Sequence, residues 1–229
     1  MSLTPRFKCL IIDHDDTAVD STAEIHYPAH CHTLQTLRPG SQVPTLDTWF
    51  LKNFHPGINE YLEEELGMTP EELVLGFEMW HEAAAANVPH FFPGVMDLLR
   101  EFRKAGGKVA VVSHSERDLI ERDYRAATGS DLFVPDLIFG WDHEATRRKP
   151  HPWPALETLA SFGIEPSDAI VLDDLKPGVL MARACGIPVA AAGWSHQIPE
   201  IRAYMESNCD AYFESIGEFR RYLFREPAK

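Results

Sequence analysis

Short apolar runs alternate with longer amphipathic segments along most of this chain. Five runs predict fully buried strands: Phe7 to Ile12, Lys108-Val109-Ala110-Val111-Val112, Leu137-Ile138-Phe139, Ala169-Ile170-Val171-Leu172 and Ile187-Pro188-Val189-Ala190. The segments between them have helical spacing. Val95 to Phe102 repeats its apolar residues every three and four positions and stops at Ala105-Gly106-Gly107. Trp153 to Phe162 follows a Pro-rich start and ends at Gly163, and Gly178 to Cys185 ends at Gly186. Strands alternating with helices of this length predict right-handed crossovers. The expected fold is α/β, with a Rossmann-like parallel sheet and helices on both of its faces.

Residues 21–92 break the alternation. They read as helical throughout, interrupted at Arg38-Pro39-Gly40, His55-Pro56-Gly57 and Gly67-Met68-Thr69-Pro70. Thr69-Pro70-Glu71-Glu72 is a helix start, with a capping hydroxyl, proline at the first position and acids in the first turn. The pattern predicts an inserted helical cap domain, with residues 1–20 and 93–229 forming the core. Ligands of open α/β sheets bind beyond the carboxyl ends of the strands, so the insert is expected over that edge.

Composition narrows the class. Of the 229 residues 45% are hydrophobic, enough for a full core. Lys and Arg number 21 against 35 Asp and Glu, a formal charge of −14. That balance argues against sequence-independent nucleic-acid binding, which needs a basic face, but it leaves room for an anionic substrate at a locally positive site. The four cysteines are scattered without a CxxC pair; Cys9 and Cys185 read as buried free thiols of a reducing compartment. No stretch approaches the roughly 18 apolar residues of a membrane span, and the first residues lack the apolar core of a signal peptide. A cytoplasmic protein without a membrane partner is expected, either monomer or homodimer.

The candidate chemistry gathers at strand ends. The first run opens into Asp13-His14-Asp15-Asp16-Thr17. Acids this close repel one another unless a cation neutralises them, so the spacing predicts a divalent metal. One carboxylate can attack an electrophile while another shuttles a proton. Alone, the pattern is also what a solvated acidic turn gives. The second run ends in Ser113-His114-Ser115, a signal that a helix N-cap would equally produce. Lys149 precedes Pro150-His151-Pro152, where most lysines are simply solvated. Val171-Leu172-Asp173-Asp174 repeats the logic of the first strand, and acids there are unfavourable unless something binds them.

In this order, these residues resemble the haloacid dehalogenase superfamily of aspartate-nucleophile phosphohydrolases, in particular its capped phosphatase and phosphoglucomutase-like members. The first family motif, DxDGT, appears as Asp13-His14-Asp15-Asp16-Thr17, with Asp20-Ser21 downstream. Ser113, Lys149 and the Asp173-Asp174 pair stand where the other three motifs fall. The resemblance implies Mg²⁺-dependent hydrolysis of a small phosphorylated metabolite. Asp13 would be the nucleophile that forms an aspartyl-phosphate, and Asp15 the acid and base. Ser113, with His114 beside it, and Lys149 would bind the phosphoryl group. The metal would be held by Asp13, the Asp15 backbone carbonyl and Asp174, with Asp173 in support. Two residues depart from the family pattern: Asp16 stands at the usual glycine, and Leu175 where a serine often follows the metal-binding acid.

The resemblance also orders the alternatives. Dehalogenating and phosphonate-cleaving relatives lack the second aspartate, which is present here as Asp15. Sugar-phosphate mutases keep it and often carry an acid pair like Asp173-Asp174, so a mutase is the alternative chemistry. A non-catalytic binding or regulatory protein is the alternative without chemistry, and only Asp16 points to it. In the insert, Arg38 and Lys52 are the candidate contacts to a second anionic group of the substrate. Lys52 otherwise reads as an exposed helical lysine. His26, His30, His32, His55, His81 and His90 fit no zinc spacing and read as satisfied or exposed histidines. The run Asn59 to Glu65 reads as a solvated helix face.

Overall fold

The computed structural model describes residues 3–127 and 132–225. The strands among them are β1 (Thr4–Pro5), β2 (Cys9–Ile12), β3 (Lys108–Val112), β4 (Leu137–Phe139), β5 (Ala169–Asp173), β6 (Val189–Ala192), β7 (Ala211–Phe213) and β8 (Phe224–Arg225). β1 and β8 form a two-stranded antiparallel ribbon. The other six make one sheet in the order β4-β3-β2-β5-β6-β7, and every pairing is parallel. This is the α/β, Rossmann-like core that the alternation of elements predicts.

The central apolar runs are strands because both of their faces are covered, whereas Leu137–Phe139, expected to be fully buried, lies at the sheet edge with all three residues half-buried. Leu10, Ile12, Val109, Val111, Ile170 and Leu172 pack into a cluster with Phe102, Tyr124 and Phe219. Cys9, Ile11, Ala110 and Val171, which alternate with them along the strands, are equally buried. The helices Trp153–Phe162 and Lys176–Cys185 end where the glycines predict. Gly163 (φ 62°) and Gly186 (φ 67°) take the left-handed conformation that closes each last turn.

Two strand assignments are corrected. The run expected at 187–190 pairs as Val189–Ala192, because Pro188 has no N–H to give the ladder and only its carbonyl takes part, accepting from Val171 at 2.9 Å. The edge strand Ala211–Phe213 was not expected; three half-buried residues carry too little periodicity to be read. Helices Arg117–Ala126, Pro199–Asn208 and Ile216–Leu223 also went unread. Cys9 is buried, and burial pushes its thiol up to about 12. Cys185 is only half-buried, contrary to expectation, with its thiol 3.5 Å from the Pro152 carbonyl. No helix among the described residues is long and apolar enough to cross a membrane.

The chain divides into two compact units, Met1–Val19 with Phe91–Lys229, and Asp20–His90. The second is helical: Tyr27–Leu37, Leu46–Phe54 and Pro70–Ala86, with the turn Ile58–Glu60 running into a π-helical Tyr61–Glu65. Its breaks fall at the Pro and Gly clusters. Thr69 closes a full capping box, its hydroxyl accepting from Glu72 N (3.3 Å) while Glu72 accepts from Thr69 N (2.8 Å). Glu60, Glu63, Glu64 and Glu65 are exposed around buried Tyr61, which makes that run a solvated face.

Candidate active site

Parallel register places the candidate groups at one edge of the sheet. Ile12 pairs with Val111 on one side and Leu172 on the other, so the residues that follow β2, β3 and the end of β5 emerge together. β2 is also where the connection order reverses, since the chain passes from it to β3 and returns through β5. Open α/β sheets form their ligand crevice at such a point. Asp13 N continues the ladder to the Leu172 carbonyl at 2.9 Å, and Ser113 N does so to the Phe139 carbonyl at 2.9 Å.

The Lys149 ammonium is the hub. It lies 2.7 Å from Asp13 Oδ1 and 2.7 Å from Asp173 Oδ2, with 5% of its side chain exposed. Burial alone would lower its pKa, but the two carboxylates more than reverse this and hold the ammonium above its ordinary range. Burial raises Asp13 well above the usual carboxylate range; Lys149 opposes that shift, while Asp173, Asp174 and Asp15 add to it. Asp173 is raised for the same leading reason. One ammonium therefore faces more buried negative charge than it can balance.

Asp13, Asp173 and Asp174 each offer a carboxylate oxygen, all within 4.8 Å of one another. Among the described residues no other group of three or more His, Cys, Asp or Glu side chains could hold a metal. The set fits a hard divalent cation. All its donors are oxygens, its excess charge is negative, and Asp174 Oδ2 is buried without a hydrogen-bond partner. The backbone makes room for it. A Cβ on Gly178 would lie 2.0 Å from Asp173 Oδ2, so only glycine admits the Asp173 carboxylate here. Asp173 Oδ1 accepts from Leu175 N at 2.9 Å, a backbone bond that does not depend on the residue at 175.

The Asp15 carboxylate is not in that set. Its Oδ2 accepts from the Ser113 hydroxyl at 2.9 Å, and Ser113 Oγ accepts from Ser115 N at 3.0 Å. Ser113 thus makes both the turn-capping bond and a contact to a candidate catalytic acid. His114 Nε2 donates to the Lys149 carbonyl at 2.6 Å. Burial, then the Lys149 charge, pushes His114 down to about 4, so its neutral ring ties the Lys149 loop to the end of β3. Asp16 adopts φ +58°, the one positive φ of a non-glycine residue among those described. The turn needs the left-handed region that glycine enters most easily, and aspartate tolerates it.

In the second unit, Arg38 donates to Glu72 (2.8 Å from Nε), Leu66 O (2.6 Å) and Gly67 O (2.7 Å). Lys52 pairs with Glu65 at 2.5 Å. Both cations thus have partners within their own unit. His26 accepts from Trp80 Nε1 at 2.9 Å, His90 meets Glu24 at 2.8 Å, and His30 stacks on Trp49 with ring centroids 3.9 Å apart.

Trp194 and His196 escaped the sequence reading, and Thr17 was read only as part of the first motif, not as a neighbour of Asp174. Thr17 donates to Asp174 Oδ1 at 3.2 Å, Trp194 Nε1 donates to the Thr17 carbonyl at 3.1 Å, and His196 Nε2 lies 3.6 Å from Asp174 Oδ2. Trp194 and His196 follow β6, where strand-end logic would have found them had the strand been placed two residues later.

The family model for haloacid dehalogenase-like hydrolases matches residues 7–186. A phosphoglycolate phosphatase of Nitrosospira multiformis is 24% identical over 94% of this chain and 95% of its own length. The pyrophosphatase PpaX of Bacillus cereus is 23% identical over 88% and 89%. Among solved structures, CbbY from Rhodobacter sphaeroides in complex with xylulose 1,5-bisphosphate superposes with a TM-score of 0.72 at 22% identity, covering 93% of this chain and 96% of that one. With more than half its length matched and four motif positions converging on one sheet edge, the chain belongs to the haloacid dehalogenase-like hydrolase family.

Proposed function

We propose that this protein hydrolyses a small phosphate monoester, with Asp13 as nucleophile and Mg²⁺ as cofactor. The observation that carries the reading is the buried Asp13–Lys149–Asp173 array beside Asp174. Its relatives are named for phosphoglycolate and pyrophosphate hydrolysis, which makes those two compounds the first probes.

The residues divide the work by position. Asp13 Oδ1 is held by the Lys149 ammonium and by His14 N–H at 2.7 Å, which fixes the carboxylate plane and leaves Oδ2 to attack phosphorus. Asp15, hydrogen-bonded to Ser113, gives its proton to the leaving oxygen. It then takes a proton from the water that cleaves the aspartyl-phosphate. Lys149 and Ser113 stabilise negative charge on the transferring phosphoryl oxygens. The Asp13 and Asp174 carboxylates and the Asp15 carbonyl would hold Mg²⁺, with Asp173 supporting them. When bound, the ion offsets charge repulsion between the anionic nucleophile and the anionic phosphate. The helical unit is read as a cap that excludes water from the reaction.

The test is release of inorganic phosphate from an aryl phosphate, phosphoglycolate, pyrophosphate and a panel of sugar phosphates, with Mg²⁺ and with chelator. Mg²⁺-dependent release that disappears in Asp13→Asn supports the reading. Transfer between sugar positions without net release would replace it with the mutase.

A further inference from the structure

We propose that His14 is a positioning residue, and that its hydrogen bond to Asp123 holds the Asp13–Val19 loop in its reactive shape. The inference rests on the hydrolase reading above. His14 lies between the two candidate catalytic aspartates, yet its ring turns away from them into the core and is 2% exposed. There Nε2 meets Asp123 Oδ2 at 3.2 Å, on helix Arg117–Ala126. Asp123 is itself buried and clamped through Oδ1 by Arg122, at 2.9 Å from Nε and 2.7 Å from Nη2. Aromatic rings enclose the rest of the pocket. Tyr124 and Phe91 stand 5.7 and 6.3 Å from the imidazole, centroid to centroid.

An apolar side chain would fill this space without the penalty of burying polar groups, so packing alone does not call for a histidine. What the pair supplies is direction. Nδ1 is buried without a hydrogen-bond partner, which leaves the bond to Asp123 as the contact that fixes the ring. The His14 backbone shows why that matters. Its N–H donates to Asp13 Oδ1 at 2.7 Å, and its carbonyl accepts from Ala18 N at 2.9 Å and Val19 N at 3.0 Å. One buried anchor therefore governs both the rotamer of the nucleophile and the closure of the turn that carries Asp15 and Asp16. Displacements near 1 Å at such a nucleophile lower rates by about 10²-fold.

The test compares wild type, Asp123→Ala and Asp123→Asn by amide hydrogen exchange and by aryl phosphate hydrolysis with Mg²⁺. In Asp123→Ala, exchange at Ala18 and Val19 is expected to accelerate about tenfold or more while Val171 in β5 is unchanged. The same variant should lose about tenfold in kcat with KM held. Asp123→Asn keeps an acceptor for Nε2–H and should restore both readouts. If Asp123→Ala fails to fold, His14→Phe retains a ring and drops the bond, and the same pattern is expected. Unchanged exchange at Ala18 and Val19, or acceleration spread equally to Val171, overturns the proposal. A wild type without phosphatase activity sinks the proposed function alone, and the exchange data still decide the role of His14.

Discussion

Lys149 Nζ sits 2.7 Å from Asp13 Oδ1, inside a compartment that leaves 5% of the lysine and 7% of the aspartate side chain exposed. The contact links a loop residue to the end of the first central strand across more than 130 positions of sequence. A buried ammonium holds its proton only where carboxylates surround it. Asp13 and Asp173 supply that environment, and Lys149 in turn fixes the carboxylate proposed to attack.

Lys149→Met keeps much of the side-chain volume and removes the charge. Its kcat is expected to fall by about 10²–10³-fold, the range seen when one donor to developing negative charge is deleted. Steady-state phosphate release checks this. A variant within a factor of two of wild type would remove Lys149 from the mechanism.

Gly178→Ala places a methyl group 2.0 Å from the present position of Asp173 Oδ2, so the carboxylate or the helix start has to move. The expected loss of stability is about 1–3 kcal/mol, with activity falling alongside. Thermal unfolding and kinetics read the two effects. Unaltered values in both would show that Asp173 relocates freely.

These residues show what the sequence made legible. An acid at the end of an apolar run is visible because burial makes it unfavourable, and Asp13, Asp173 and Asp174 were found that way. Partnerships across the sheet edge were not visible. Nothing local in Thr17, Trp194 or His196 marks them as neighbours of Asp174, and nothing in Asp123 marks it as the partner of His14. Those contacts depend on strand order and on where β6 ends. Asp16, which departs from the family pattern at its usual glycine, takes φ +58°, the region that glycine enters most easily, and that requirement of the turn was not readable from the residues alone.

His30 gives the helical unit a pH dependence. Burial lowers its pKa from 6.5 to about 4, and its ring stacks on Trp49. The unfolded chain therefore takes up a proton near pH 6.5 that the folded chain refuses until about pH 4. Stability falls as pH drops through that window, by roughly 2–3 kcal/mol from this residue. His30→Phe keeps the stacking and should flatten the melting temperature between pH 7 and pH 4. A variant that tracks wild type across that window would contradict the assignment.

Asp174→Asn tests the metal set without requiring turnover. Asp174 Oδ2 is buried and lacks a hydrogen-bond partner, and replacing the carboxylate by an amide lowers the negative charge available to a dication. Titration calorimetry should show Mg²⁺ affinity reduced by about 10–100-fold. Equal affinity in variant and wild type would place the ion elsewhere.

As the proposed nucleophile, Asp13 becomes phosphorylated during turnover. Rapid acid quench of the Mg²⁺-loaded protein during turnover of its best substrate, followed by peptide mass spectrometry, addresses it directly. One phosphoryl group is expected on the peptide that contains Asp13, formed within a single turnover and absent in Asp13→Asn. Turnover with no phosphoryl group on that peptide, or with one on another residue, would contradict it.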